Sequence, residues 1–173
     1  EVPPPHHLPA MSTVGLAGAE VKESKDRVRS AIRNSGFRFP KGRVTVNLSP
    51  ADLPKDGGRY DLAIALAILL ASGQLPADAL RECEFYGELS LSGEVQSMQG
   101  TLLAAVAAAR VNHSIFVPRA NVPEAALVTG CRIAIASNLP DMVNHATGRA
   151  ALHFILGAAP VRTNRLEADL SQV

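Results

Sequence analysis

The sequence predicts a single mixed α/β domain, and three observations carry that prediction. Strand-like and helix-like segments alternate along most of the 173 residues, a length suited to one domain. The hydrophobic share is 47% but aromatics are only 4%, with no Trp, so the core must be built from Ala, Leu, Val and Ile. Two apolar segments, 61–72 and 101–110, have the length and flanking breakers of helices packed inside a layered fold.

Taken in order, Ala10 to Val14 reads as a short strand after a proline-rich lead. Glu20 to Ser35 reads as a helix closed by Gly36, which takes the left-handed conformation of a C-terminal cap easily. At helical spacing Val21, Ser24, Val28, Ile32 and Ser35 share one face, and Lys22, Arg29 and Arg33 line a neighbouring stripe with Lys25 at its edge. Arg43 to Leu48 is strand-like. The Pro- and Gly-containing stretch Ser49 to Gly58 reads as a loop. Asp61 can cap the next helix, which is apolar on nearly every face up to Ser72, stops at Gly73, and is expected to be buried all round beneath a sheet.

Phe85 to Val95 reads as two short strands turning at Ser92-Gly93. Thr101 to Arg110 is a second alanine-rich helix, and Ser114 to Val117 a strand stopped by Pro118. Pro123 suits the first turn of a short helix ending by Gly130. Arg132 to Ala136 is a further strand, and Asn138 can cap a helix running to His145. This divides the chain into a lead over 1–9, one domain over 10–156, and a linker and tail over 157–173.

The longest strictly apolar stretch, Leu62 to Ala71, has ten residues and is too short to span a bilayer. Glu1 to His7 lacks the basic and apolar regions of a secretory signal, and Cys83 and Cys131 form no CxxC pattern. The expectation is a soluble cytoplasmic protein without membrane contact. With no initiating Met, the chain reads as a piece of a longer polypeptide.

No familiar catalytic pattern emerges from the residues. A phosphate-cradling loop of the GxxxxGK[ST] type is absent, and no lysine follows Lys55. Gly57-Gly58 before a helix could hold an anion, but a tight turn explains it more simply. The histidines and cysteines show no ligand spacing, so no metal is expected. Glu88 and Glu94 flank the predicted hairpin and suit solvated carboxylates better than an acid/base pair.

Charge is the informative feature. Lys22 to Arg43 holds eight basic and two acidic residues, a local balance of +6, so a chain of net charge +1 carries −5 elsewhere. Basic groups clustered this way suit phosphate contact, and Arg29, Arg33, Arg38, Lys41 and Arg43 are the candidate nucleic-acid-binding residues. The same charges also suit a solvated helix face with pairs such as Lys22–Asp26, or contact with acidic surfaces of neighbouring subunits.

Several strings together resemble the N-terminal domain of the ComM (YifB) family of bacterial magnesium-chelatase-like AAA+ ATPases. They are Val21–Arg29, Val44–Lys55, Gly58–Leu62, Gly87-Glu88-Leu89 and Ser92-Gly93-Glu94-Val95, within a likeness covering roughly 8–147. The resemblance implies a Lon-protease-like fold, shared with the second domain of a ribosomal small-subunit protein and containing a left-handed βαβ crossover. It implies that an AAA+ motor follows in the same polypeptide, with ATP and Mg2+ bound there and none in this chain. It further implies a hexameric DNA branch-migration helicase acting in natural transformation, with Leu166–Val173 resembling the joint before the motor.

On this fold the enzymatic members are serine–lysine proteases, in which Ser attacks the peptide carbonyl and Lys acts as base. Against their nucleophile loop this chain has Asp56-Gly57-Gly58-Arg59-Tyr60-Asp61, with Arg59 in the nucleophile's place. A guanidinium stays protonated and forms no acyl-enzyme. The catalytic Lys would fall near the start of the Thr101 helix, where Leu102 stands. The chain is therefore expected not to be an enzyme. Arg59 is either a repurposed ligand or DNA contact, or a structural residue paired with Asp61 or Asp56. The resulting expectation is a non-proteolytic accessory domain assisting hexamer assembly and guiding DNA, the alternative being a purely structural oligomerisation module. Nothing in these residues speaks for the namesake chemistry, magnesium insertion into a porphyrin.

Overall fold

The computed structural model describes residues 11–14, 19–49 and 57–158, of which 19–22 by backbone alone. The lead over 1–9, the centre of the loop that begins at Ser49, and the tail from 159 lie outside the described residues.

Strand β1 (Met11–Val14) lies parallel to β2 (Val44–Asn47), and helix α1 (Ala19–Asn34) connects them. Val28, Ala31 and Ile32 of α1 are fully buried, as the helical spacing predicts. They pack on α2 (Asp61–Ala71), whose Leu62, Ala65, Leu66 and Leu69 are equally enclosed. The expectation that α2 is buried all round is corrected, because Ala67 and Ala71 are exposed one turn apart. The small side chains there leave a solvent-facing stripe that the sequence's uniform apolarity hides.

Four strands form the main sheet in the order β3 (Cys83–Phe85), β6 (Ser114–Val117), β7 (Arg132–Ile135) and β8 (Phe154–Leu156). The first three run parallel and β8 antiparallel. Alternation along β6 divides the core: Phe116 faces α1, α2 and α5 (Leu139–Ala146), whereas Ile115 and Val117 face α3 (Thr101–Arg110) and α4 (Val122–Ala125). The result is a three-layer helix–sheet–helix arrangement. The fold is thus mixed α/β with parallel and antiparallel pairings, and no described helix is long and apolar enough to cross a membrane.

The stretch read as one hairpin divides in two. Its first residues join β3, and only β4 (Glu88–Leu89) and β5 (Val95–Gln96) pair across the turn. Gly93 makes that turn at φ +90°, where an added Cβ would meet Ser35 Oγ at the end of α1. The Asn34 side-chain amide also donates to the Leu91 carbonyl at 2.7 Å, so the turn is seated on the end of α1. Asn138 caps α5 as predicted, accepting from the Asp141 N–H at 2.8 Å. Asp61 does not cap α2: the N-cap is Tyr60, and the Asp61 side chain turns inward.

Candidate nucleic-acid interface

The basic surface is organised by the way α1 ends. Gly36 adopts φ +83°, its N–H donates to the Arg33 carbonyl at 3.0 Å, and the Phe37 N–H donates to the Ile32 carbonyl at 3.0 Å. This is the paired closure of a Schellman cap, which turns the chain sharply and sends Phe37 onto the core. Helix α2 ends in the same way at Gly73, leaving Gln74 beside the stretch that leaves α1. Gln74 accepts from the Arg38 N–H at 2.9 Å and donates to the Arg38 carbonyl at 2.7 Å. With its backbone clamped, Arg38 keeps its side chain exposed.

Phe39 packs on the core from the same stretch, and the Arg29 guanidinium lies over its ring, 5.0 Å from the centroid. The contact brings Arg29 of α1 against the segment that carries Arg38 and Lys41. Arg33 lies one turn further along α1, and Arg33, Lys41 and Arg43 are exposed. Arg43 also lines a groove of about 480 Å³ between β2 and the Ala67 and Ala71 stripe of α2. Among the described residues, Arg33, Arg38, Lys41 and Arg43 form no ion pair. Exposed Arg33, Arg38, Lys41 and Arg43, with Arg29 seated on Phe39, thus line the end of α1 and the segment that leads from it to β2.

Arg59 stands apart from that surface. It lines a different cleft, of about 530 Å³, with Gly57, Gly58, Glu88, Ser97 and Gln99. Its carbonyl accepts from the Gly87 N–H at 2.9 Å, and its Nη1 lies 3.9 Å from where a Cβ on Gly100, at the start of α3, would stand. Its expected pairing with Asp61 is corrected: Asp61 is taken by other partners, and Asp56 lies outside the described residues. A Cβ added to Gly58 would meet Glu88 Oε2 at 2.6 Å, so the Glu88 carboxylate packs against this glycine turn.

Asp61 is the buried polar residue whose role the sequence left unseen. It accepts from Ser24 Oγ, from Arg27 Nε at 2.9 Å and from the Leu89 N–H at 3.3 Å. Burial works against the Arg27 charge, but the hydrogen bond and charge of Asp61, with help from Glu88 and Glu23, hold the guanidinium above its ordinary value. Arg27 is thus a structural cation, and Glu23–Arg27 at 3.9 Å is the i,i+4 pair seen on α1. The side chain of Lys22 lies outside the described residues. Glu88 faces Gln96 across the hairpin, whereas Glu94 belongs to the turn, so the two carboxylates are not cross-strand partners.

Leu102, the residue at the expected lysine position, is partly exposed and its N–H donates to Glu124 Oε1 at 2.9 Å. Beside it, the buried Asn121 amide holds both backbone groups of Met98 and donates to Thr101 Oγ1 at 2.7 Å. Among the described residues no group of three His, Cys, Asp or Glu could hold a metal ion.

A three-layer α/β domain with an exposed basic segment between α1 and β2 is the class these features define. The model for the ChlI subunit of Mg-chelatase matches residues 1–121. YifB of Escherichia coli (strain K12) is 43% identical over 166 residues, covering 96% of this chain and 33% of that protein. The competence protein ComM of Haemophilus influenzae is 44% identical over 144 residues, covering 83% of this chain and 28% of that protein. A Mycobacterium tuberculosis (strain H37Rv) protein is 40% identical over 167 residues. The chain belongs to the magnesium-chelatase ChlI-like family that includes ComM and YifB. It spans about a third of the length of the curated relatives it matches.

Proposed function

We propose that this chain is a non-catalytic accessory domain of a longer, cytoplasmic ComM-type AAA+ ATPase, and that it guides DNA towards the motor while helping a hexameric ring assemble. The observation that carries the DNA reading is the surface formed by Arg33, Arg38, Lys41 and Arg43, unpaired among the described residues and anchored through Arg29 on Phe39. Fixed cations that meet phosphates release condensed counterions, so such a surface binds DNA in a salt-dependent way. The relative named as a competence protein supports a role in natural transformation.

The absence of a Ser–Lys pair at Arg59 and Leu102 supports the non-proteolytic reading, as does the position of the Arg59 guanidinium near Gly100 at the start of α3. The parallel pair β1 and β2 joined through α1 is compatible with the Lon-like fold that the resemblance implies. ATP and Mg2+ belong to the motor, because this chain has no phosphate-binding loop.

Fluorescence anisotropy with labelled DNA at low and near-physiological salt tests the reading. Binding that weakens steeply with salt and disappears in R33E/R43E, with the fold retained by circular dichroism, supports it. Salt-insensitive binding, or binding untouched by the double reversal, contradicts it.

One observation favours a purely oligomeric role. Leu103, Ala107 and Val111 are exposed along one face of α3, and Phe154, Ile155 and Leu156 are exposed on β8, an edge of the main sheet. Apolar faces of this kind favour association. Sedimentation of the wild-type chain and of L103E/V111E separates this reading from the first, since only self-association depends on those residues.

A further inference from the structure

We propose that the Arg33–Arg38–Lys41–Arg43 surface takes the sugar–phosphate backbone of double-stranded DNA through charge alone, and prefers duplex to single strand. The inference rests on the DNA reading above and names the form of DNA.

Proteins that hold single strands combine cations with aromatic faces on which bases stack. This chain has five Phe, two Tyr and no Trp. At the basic surface the available rings are Phe37 and Phe39. Both are partly buried against the core, and the Arg29 guanidinium covers Phe39. Of the remaining rings only Phe154 is exposed, and it is packed between Arg132, Phe116 and His145. The surface therefore offers charge but no free stacking platform.

Amide side chains that could read adenine edges are few beside the cations. The two amides flanking the cations are engaged by backbone: Asn34 with Leu91, and Gln74 with Arg38 at both of its polar atoms. Asn47 is exposed and lines the same groove as Arg43, about 13 Å along the strand at about 3.3 Å per residue.

Charge alone favours the duplex. The salt slope is about −0.9 per neutralised phosphate for duplex and about −0.7 for single strands. For about four contacts, that difference amounts to about tenfold tighter duplex binding at about 50 mM salt.

The test is a competition titration of the 173-residue chain with a labelled duplex, a scrambled duplex of equal composition, and a single strand of equal phosphate count. The expected result is about tenfold preference for duplex, with both duplexes bound within about twofold. R33E/K41E should lose that binding; R110E, at the end of α3 on the other side of the sheet, should retain most of it and bind more tightly than R33E, which makes the same change in net charge. Equal or tighter single-strand binding overturns the inference and leaves the DNA reading standing, as does a strong preference between the duplexes. No binding to any probe at low salt overturns both.

Discussion

Arg27 Nε donates to the Asp61 carboxylate at 2.9 Å, tying the middle of α1 to the first turn of α2. Ser24 and the Leu89 N–H converge on the same carboxylate, so one side chain joins two helices and the hairpin. Removing one partner of a buried charge pair leaves the other uncompensated, which costs about 3 kcal/mol. D61N keeps the shape but loses the charge and one acceptor. Urea unfolding should show a loss of about 3 kcal/mol, and a loss below about 1 kcal/mol would show the network to be dispensable.

The turn between β4 and β5 makes a second prediction. Gly93 sits at φ +90° with the Ser35 hydroxyl where its Cβ would be. G93A must strain the backbone and push the turn away from α1, at a cost of about 2 kcal/mol or more. The same displacement breaks the Asn34–Leu91 bond, so a melting curve should show the stability loss while exchange spectra show the end of α1 loosened. A neutral substitution would contradict the seating of the turn on α1.

These two sites mark where the sequence was legible and where it was not. Helices α1, α3 and α5 and strands β2, β6 and β7 follow from local period and punctuation, because Gly36, Pro118 and Asn138 act on their immediate neighbours. Strand β8 was missed: Phe154–Leu156 is three residues long and gains its identity by pairing with β7, which no local pattern shows. At the candidate site the cluster of basic residues was visible as composition. The clamp of Gln74 on Arg38 and the seat of Arg29 on Phe39 were not, since each joins residues far apart in the chain. Asp61 reads in the sequence as the cap of α2 and as one of two structural partners for Arg59, yet it is Arg27 on another helix that reaches it.

Alkaline conditions should expose a third property. Burial pushes the Cys83 thiol up, with Arg132 opposing and Glu82 assisting, and burial with Glu84 pushes Cys131 up. Burial and its hydrogen bond to Glu84 push the Tyr86 hydroxyl up as well. Each folded value lies above its unfolded one, so the neutral groups' contribution is complete below the unfolded value. It is lost as pH rises through the folded value. Thermal midpoints should therefore fall between about pH 7 and about pH 10, and fall less in C83A/C131A. An equal slope in both proteins would refute the thiol contribution.

The most direct measurement of the central claim is hydrogen exchange of the chain with and without a short DNA duplex at low salt. The account predicts protection concentrated over the end of α1 and the segment 33–43, removed by added salt and absent in R33E/R43E. Protection centred instead on the Arg59 cleft, over 57–59 and 97–103, or a pattern unchanged by DNA, would contradict it.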